Sequence, residues 1–230
     1  MKRLALVFLA FMSLTTFAAD SGWESLSNKD GIEVWQKRES RSKINAFRGR
    51  KVIKAPADKV VGLIMDTQVE RKKRWVDLVM EWKNLDSDPT NLKYYSSYDM
   101  PFPVSDRDFV FKVKKEIDPK DKKVTVRIWS VADAEHTPEN SVGVMGWVER
   151  MWFQVRMISP TESEVVVESH VDPKGIVPGW AVNMINRGWP VNTLLGIERE
   201  VALKATPIDK ETTERIMMPA ARQPSVQQAH

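Results

Sequence analysis

Residues that could carry covalent or metal chemistry are sparse in this 230-residue chain. Cysteine is absent, which excludes disulfides and thiolate catalysis. His136 and His170 each stand alone, without a second ligand at the spacing that a metal site needs. The sequence also has no nucleophile elbow, phosphate-binding loop or zinc-protease motif. The residues therefore predict no catalytic site, no metal site and no cofactor.

Two groups of charged residues could instead bind an anionic head group. Arg107, between Asp106 and Asp108, could contact such a group, or it could tie a turn to neighbouring carboxylates and carbonyls. The basic run 71–74 could meet anionic lipids, although its pattern favours a solvated surface. The formal net charge of +4 includes Lys2 and Arg3, and this balance predicts no nucleic-acid partner.

The elements that must position these residues are mostly strands. Alternating apolar residues predict strands at about 32–38, 44–53, 79–85, 92–98, 108–117, 124–131, 142–148, 152–158 and 164–171. Short turns between consecutive strands predict antiparallel pairing. A sheet with one apolar face needs a cover, because that face must be removed from water.

Two helices are expected, each after a proline that suits a first helical turn. One follows Pro56 and the other follows Pro178. Pro190 lacks a backbone N–H and should kink or break the second helix near residues 188–189. We expect this last helix to cover the apolar face of the sheet, with Met184, Ile185 and Leu195 on its own apolar face.

The ends of the chain differ from its middle. Residues 1–19 combine a basic start, a short apolar run and small residues, which is typical of a signal peptide. Residues 206–230 are rich in proline, glutamine and alanine, which favours a flexible tail. The expected organisation is a signal peptide at 1–19, one domain at 20–205 and a tail at 206–230. The protein is then exported, either to the periplasm or to the medium.

Four segments in order resemble the START (StAR-related lipid-transfer) domain, and most closely its phosphatidylcholine-transfer type. They are residues 43–49, the region of Met65, Asp66 and Trp75, residues 101–110, and residues 172–180. The resemblance implies an α+β helix-grip fold, in which a curved antiparallel sheet wraps around a long C-terminal helix and encloses an apolar cavity. It also implies that one lipid is bound there and carried without chemical change.

The resemblance also suggests where a ligand would lie. The three positions that hold choline in the phosphatidylcholine-transfer type correspond to Ser96, Phe109 and Trp152. Only two of these are aromatic here, so the ligand stays open between a phospholipid, a fatty acid and a sterol-like molecule. In the strand of Trp152, alternation places Phe153 on the more apolar face. The candidate ligand-binding residues are Ser96, Arg107, Phe109, Phe111, Val113, Trp152, Val167, Met184, Ile185 and Leu195.

Two other functions stay open from the sequence. Relatives with a helix-grip fold include cyclases and hydrolases, so an enzyme acting on an apolar substrate is the alternative. A lipid-free interaction module is the third possibility. For the carrier we expect a monomer whose partners are a lipid or other apolar small molecule and, transiently, a membrane surface. Trp180 and Trp189 could either touch the ligand, enter that surface or simply pack.

Overall fold

A computed structural model of the chain describes residues 22–86, 92–102, 104–136, 140–141 and 143–218. Within these residues ten strands form one sheet. The strands are β1 (Trp23–Lys29), β2 (Ile32–Lys37), β3 (Ala46–Ile53), β4 (Val79–Asn84), β5 (Leu92–Tyr98), β6 (Arg107–Asp118), β7 (Lys123–Ser130), β8 (Val144–Met145), β9 (Trp147–Ser159) and β10 (Glu162–Asp172). The helices are α1 (Ala57–Met65), α2 (Val69–Trp75), α3 (Gly179–Val201) and α4 (Lys210–Thr212), which continues as a π-helical turn (Thr213–Met217).

The sheet has the order β1-β2-β3-β10-β9-β7-β6-β5-β4, and all these neighbours are antiparallel. The two-residue β8 is shorter than the expected strand at 142–148 and pairs in parallel with β6. Helix α3 crosses the inner face of the sheet over β2, β3 and β10. This arrangement confirms the predicted α+β helix-grip architecture. The strand β1 was not expected from the sequence.

The outer face of the sheet carries a ladder of ion pairs. The buried carboxylate of Glu168 accepts hydrogen bonds from Arg48 at 2.8 Å and from Arg150 at 2.7 Å. Glu164 accepts in the same way from Arg50 at 2.7 Å and from Arg156 at 2.9 Å. Because these strands place their charges outward, their apolar residues face α3.

Helix α3 runs without interruption from Gly179 to Val201, although it contains Pro190. Of the predicted kink or break near residues 188–189, the break is therefore wrong. Pro190 is buried against β3 at Gly49, where an added Cβ would lie only 2.7 Å from the proline Cβ. The close packing of this turn on the sheet holds the helix together, even though one backbone hydrogen bond is lost.

The segment after α3 corrects the expected domain boundary at residue 205. Residues 206–218, the described part of the expected flexible tail, pack against α1. The backbone N–H of Asp209 donates to the carbonyl of Asp58 at 3.0 Å, and the Thr213 hydroxyl donates to the Asp58 carboxylate at 2.7 Å. Ile216 is buried in the core. Apolar burial and these hydrogen bonds order a segment whose composition alone favoured disorder. The predicted signal peptide and residues 219–230 lie outside the described residues.

Candidate functional site

A cavity of about 310 Å³, partly open to solvent, lies between the sheet, α2 and residues 185–193 of α3. Strands β4, β5, β6, β7, β9 and β10 form its floor, and the end of α1 with α2 forms one wall. Its lining is mainly aliphatic and aromatic. The α3 residues that face it are Ile185, Asn186, Trp189, Asn192 and Thr193.

The floor follows directly from strand periodicity. Phe109, Phe111 and Val113 alternate along β6, so all three side chains point to the inner face. The ring centroid of Phe111 lies 5.3 Å from that of Trp82 on β4 and 5.8 Å from that of Tyr94 on β5. These edge-on and tilted contacts give the floor a rigid aromatic surface.

A second group of rings connects the floor to the helices. Trp75 at the end of α2 lies 6.4 Å from Phe153 on β9, measured between ring centroids. Phe153 in turn lies 6.1 Å from Trp189 on α3. Both contacts are edge-to-face. The three rings stand between the sheet and the helices, so they define the height of the cavity.

Lys72 is a buried cation in the cavity wall. Its Nζ donates to the carbonyl of Ile64 at 2.8 Å and lies 5.0 Å and 4.9 Å from the ring centroids of Trp75 and Trp82. Burial lowers the pKa of Lys72 to about 7, and the negative charge of Asp66 only partly opposes this shift. The expectation of a solvated basic run at 71–74 is therefore wrong for this residue. Lys72 and Trp75 are three positions apart, so they share the inner face of α2.

Two tyrosines in the lining stay neutral at physiological pH. Burial raises the pKa of Tyr94 to about 12, and the negative charge of Asp66 acts in the same direction. Burial also raises the pKa of Tyr98, and the polar side chain of Ser96 only partly opposes this. Both hydroxyls can therefore donate and accept hydrogen bonds inside the cavity.

Arg107 lines the cavity, but its guanidinium is bound by the backbone. It donates to the carbonyl oxygens of Pro173 at 2.7 Å, Lys174 at 3.3 Å and Asp106 at 3.2 Å, and also to that of Ser105. These bonds join the turn before β6 to the loop after β10. Of the two roles expected from the sequence, the contacts favour the tying of a turn.

The structure brings five of the ten candidate residues to the cavity and leaves five elsewhere. Those that line it are Arg107, Phe109, Phe111, Val113 and Ile185. Ser96 is opposite Phe109 in the sheet but is fully buried beneath the lining, and Val167 is buried under α3 beside Gly49. The remaining three do not reach the cavity.

The other three candidates, Trp152, Met184 and Leu195, lie on outward-facing surfaces. Trp152 is on the outer face of β9, where the Arg48 guanidinium lies 5.7 Å from its ring centroid. Met184 is 65% exposed and Leu195 is 42% exposed. Adjacent helical residues point about 100° apart, so Ile185 faces inward while Met184 does not. Alternation along β9 was the signal that Phe153 and not Trp152 faces inward.

Within the described ranges, no three histidine, aspartate or glutamate side chains cluster as a metal site would require. The same part of the chain contains no helix that is both long and apolar enough to cross a membrane.

Comparisons with known proteins agree with this geometry. The family model of the START domain matches residues 11–190. A protein of Pseudomonas aeruginosa, the uncharacterized protein PA1579, is 29% identical over 197 residues, which cover 85% of this chain and 94% of that protein. The bovine phosphatidylcholine transfer protein is 25% identical over 168 residues, which cover 71% of this chain and 76% of that protein. The crystal structure of a STAR-related lipid transfer protein fragment from Xanthomonas axonopodis superposes with a TM-score of 0.69 at 26% identity, and the match covers 79% of this chain and 99% of that one.

Proposed function

Because this chain belongs to the START domain family, we propose that it binds one lipid or other apolar small molecule in the internal cavity and carries or presents it without chemical change. The observation that carries this proposal is the aromatic-lined space of about 310 Å³ that the protein's own side chains leave between the sheet and α3. The similarity to the bovine phosphatidylcholine transfer protein and to the Xanthomonas STAR-related lipid transfer protein supports it.

Apolar burial would supply most of the affinity. Each square ångström of ligand surface removed from water contributes roughly 25 cal/mol, before the cost of ordering the ligand. Phe109, Phe111 and Val113 on the floor and Ile185 on the roof offer the ligand apolar contacts on opposite sides. The aromatic floor defines the shape of the site, and it does not require the ligand to carry a particular polar group.

The proposal includes transient contact with a membrane surface. Phe102, Ile176, Trp180 and Met184 are large apolar side chains that are mostly exposed to solvent. They lie on the two loops that Arg107 joins and on the first turns of α3, and the loop of Phe102 also contains Met100, which lines the cavity. Apolar side chains at such an edge would enter the head-group region while a lipid passes in or out. We expect the carrier to act as a monomer.

Export is also part of the proposal, on the layout of residues 1–19. Mass spectrometry of the protein recovered from its native host would test it. Export predicts a mature chain that starts near Asp20, and an intact Met1 on the bulk of the protein would contradict it.

The test of lipid carriage combines native mass spectrometry with transfer of a fluorescent lipid between vesicles. We expect wild-type protein to retain one ligand, to release it chemically unchanged and to move lipid between vesicles. Ile185→Asp places a charge in the cavity and should abolish loading, because an unpaired buried carboxylate is strongly disfavoured.

Met184→Asp is the matched control, since it places the same charge on the neighbouring exposed position. This variant should load normally and transfer more slowly, because its membrane contact is weakened. Wild-type protein that never accepts a lipid would overturn the proposal, and chemical conversion of the ligand would favour a helix-grip enzyme instead.

A further inference from the structure

We propose that the ligand enters and leaves this cavity through a side mouth between α3 and the turn that joins α2 to β4, and that Leu78 in this turn is its gate. The turn consists of residues 76–78. The inference rests on the proposed function, and it specifies the route that a bound molecule takes. Three features support it: where the lining is exposed, where hydrogen bonds hold the rim of the cavity, and the backbone conformation of Leu78.

The first feature is the position of the exposed part of the lining. Of the residues that line the cavity, those exposed to solvent are Asp77, Leu78 and Asn192. Two of them belong to the α2–β4 turn, and the third lies on α3. Met100 and Pro173, which line the cavity at the loops that Arg107 joins, are only half-exposed. Solvent therefore reaches the cavity most directly between the turn and α3.

Contacts at the end of α2 place the two rims of this mouth side by side. The carbonyl of Arg74 accepts a hydrogen bond from Arg199, and a Cβ added to Gly196 would lie 2.7 Å from the carbonyl oxygen of Trp75. The chain leaves α2 directly after these contacts, and Asn192 lies about one helical turn before Gly196. The end of α2 is thus held on the second half of α3, and the turn that follows it borders Asn192.

The second feature is the uneven distribution of hydrogen bonds around the cavity. At the start of α3, the backbone N–H of Asn45 donates to the side-chain oxygen of Asn183 at 2.9 Å. The loops before β6 and after β10 are joined by Arg107, which donates to the carbonyl of Pro173 at 2.7 Å. Within the described part of the chain, no hydrogen bond or ion pair joins residues 76–78 to α3. Opening that end of the cavity breaks such bonds, whereas widening the side mouth breaks none between its rims.

The third feature is the backbone of Leu78, whose φ of 62° lies in the left-handed region that favours glycine. A leucine is strained there, because its Cβ crowds the following carbonyl oxygen. The Leu78 carbonyl accepts a hydrogen bond from the backbone N–H of Asp99 at 2.8 Å, which holds the strained turn in place. The side chain lines the cavity and is 47% exposed, so it lies across the mouth. Strained residues of this kind cluster at ligand clamps and switch regions.

A gate at Leu78 follows from these features. Rotation of Leu78 out of the left-handed region relieves the strain and gives up the bond to Asp99, so a gain offsets the loss. The apolar side chain then moves away from Asn192, and a molecule can pass between the rims. Movement of the first half of α3 widens the same mouth from its other side. Asp99 leads into the loop of the exposed Phe102, so the mouth opens next to the proposed membrane contact.

The test closes one opening at a time with introduced cysteines, since the chain has none of its own. Leu78→Cys with Asn192→Cys spans the side mouth. Phe102→Cys with Ile176→Cys is the matched control, because it spans the two loops that Arg107 joins. The full-length variants are loaded with dodecanoate or phosphatidylcholine that carries a nitrobenzoxadiazole fluorophore. A bis-maleimide reagent with an internal disulfide then joins each pair, so that a reductant can reopen it.

Release of the fluorescent lipid to methyl-β-cyclodextrin is the quantity measured, because a soluble acceptor removes any effect on membrane contact. We expect the link across the side mouth to slow release about tenfold or more, since the gate cannot open. The reductant should restore the rate. The link between residues 102 and 176 should leave the rate within about twofold of that of the unlinked protein.

A pair of glycine variants tests Leu78 itself. Leu78→Gly removes the side chain and the strain, and should speed release about threefold or more. Lys122→Gly is its matched control, because Lys122 also has a positive φ, of 49°, and its carbonyl also accepts a backbone hydrogen bond, from Met157 at 2.9 Å. Lys122 lies in the turn between β6 and β7 and does not line the cavity. Lys122→Gly should release lipid at the wild-type rate.

Several outcomes would overturn the inference. If the link between residues 102 and 176 slows release as much as the link across the side mouth, or if neither slows it, the route is wrong. Failure of the reagent to join residues 78 and 192 would show that they do not face each other. If Leu78→Gly releases lipid no faster than Lys122→Gly, Leu78 is not the gate. Wild type that loads neither lipid would instead overturn the proposed function itself.

Discussion

The two halves of α3 contrast sharply. In residues 190–201, Leu194 and Ile197 are fully buried, and a Cβ added to Gly196 would lie 2.7 Å from the carbonyl oxygen of Trp75. In residues 179–189, Trp180 is largely exposed, and a Cβ added to Gly188 would meet nothing within 4 Å. The buried side of the second half therefore fixes the helix on the sheet, whereas the cavity lies under residues 185–193, from the end of the first half to the start of the second.

The side chains beneath each half explain this difference. Gly49 on β3 lets the turn at Pro190 and Leu194 approach the backbone of the sheet. Under the first half, the rings of Trp189 and Phe153 meet edge to face and keep the helix away from the floor. One helix can thus serve as an anchor and as a roof, because glycine lies under one part of it and aromatic rings under the other. A roof that packs few side chains is also the part best able to move when a ligand enters.

The test of this contrast with the largest expected effect on stability uses two adjacent leucines. Leu194→Ala should lower the free energy of unfolding by about 3 kcal/mol, because it leaves a cavity in tightly packed core. Leu195→Ala, at a position that is 42% exposed, should cost less than about 1 kcal/mol. Urea denaturation of both variants gives the comparison. Equal losses would mean that α3 does not place Leu194 inward and Leu195 outward.

A second test compares two glycines of the same helix. Both substitutions to alanine gain up to about 1 kcal/mol of helix propensity. In Gly196→Ala the new methyl group meets the backbone of Trp75, and overpacking of this kind costs about 1–3 kcal/mol. We expect Gly188→Ala to stabilise the protein and Gly196→Ala to be about 2 kcal/mol less stable than Gly188→Ala. Thermal or urea unfolding would measure this difference in stability. Equal stabilities of the two variants would show that the two halves of α3 are not packed differently.

The third test, which has the smallest expected effect, uses pH. It probes Lys72 in the cavity wall, beneath the first half of α3. The folded-state pKa of Lys72, about 7, lies below the ordinary value of 10.5. The unfolded chain thus binds more protons between these values, and stability due to this residue rises with pH from 7 towards 10. Wild type should gain about 1 kcal/mol relative to Lys72→Met between pH 7 and pH 8.

Urea titrations at the two pH values would measure this change. The other ionisable groups that face Lys72 or line the cavity with it are common to both proteins; they are Asp66, Asp77, Tyr94, Tyr98 and Arg107. Tyr94 titrates near pH 12, outside the window. A constant difference between the two proteins would show that Lys72 is not buried as described.

The sequence predicted the strands well and the site only in part. Phe109, Phe111 and Val113 were assigned correctly to one face, because a strand of period two allows only two choices. Met184 and Leu195 were assigned wrongly, because α3 is apolar on several sides. Its periodicity could not decide which side meets the sheet.

Lys72 and the segment 206–218 show a different limit. Both look like solvated chain by composition, since one lies in a run of four basic residues and the other is rich in polar residues. Each is buried by partners that are distant in sequence: Lys72 by Trp82 on β4, and residues 209 and 213 by Asp58 on α1. No local pattern contains that information.

By itself, the sequence determined that alternating strands form an antiparallel sheet, that one long helix follows them, and that the chain has no cysteine with which to do thiol chemistry. Only the tertiary structure decided where empty space remains and which cation borders it. The physical reason is that periodicity depends on the geometry of neighbouring residues. A cavity depends on the distance between elements, and glycines and aromatic rings far apart in the chain set that distance.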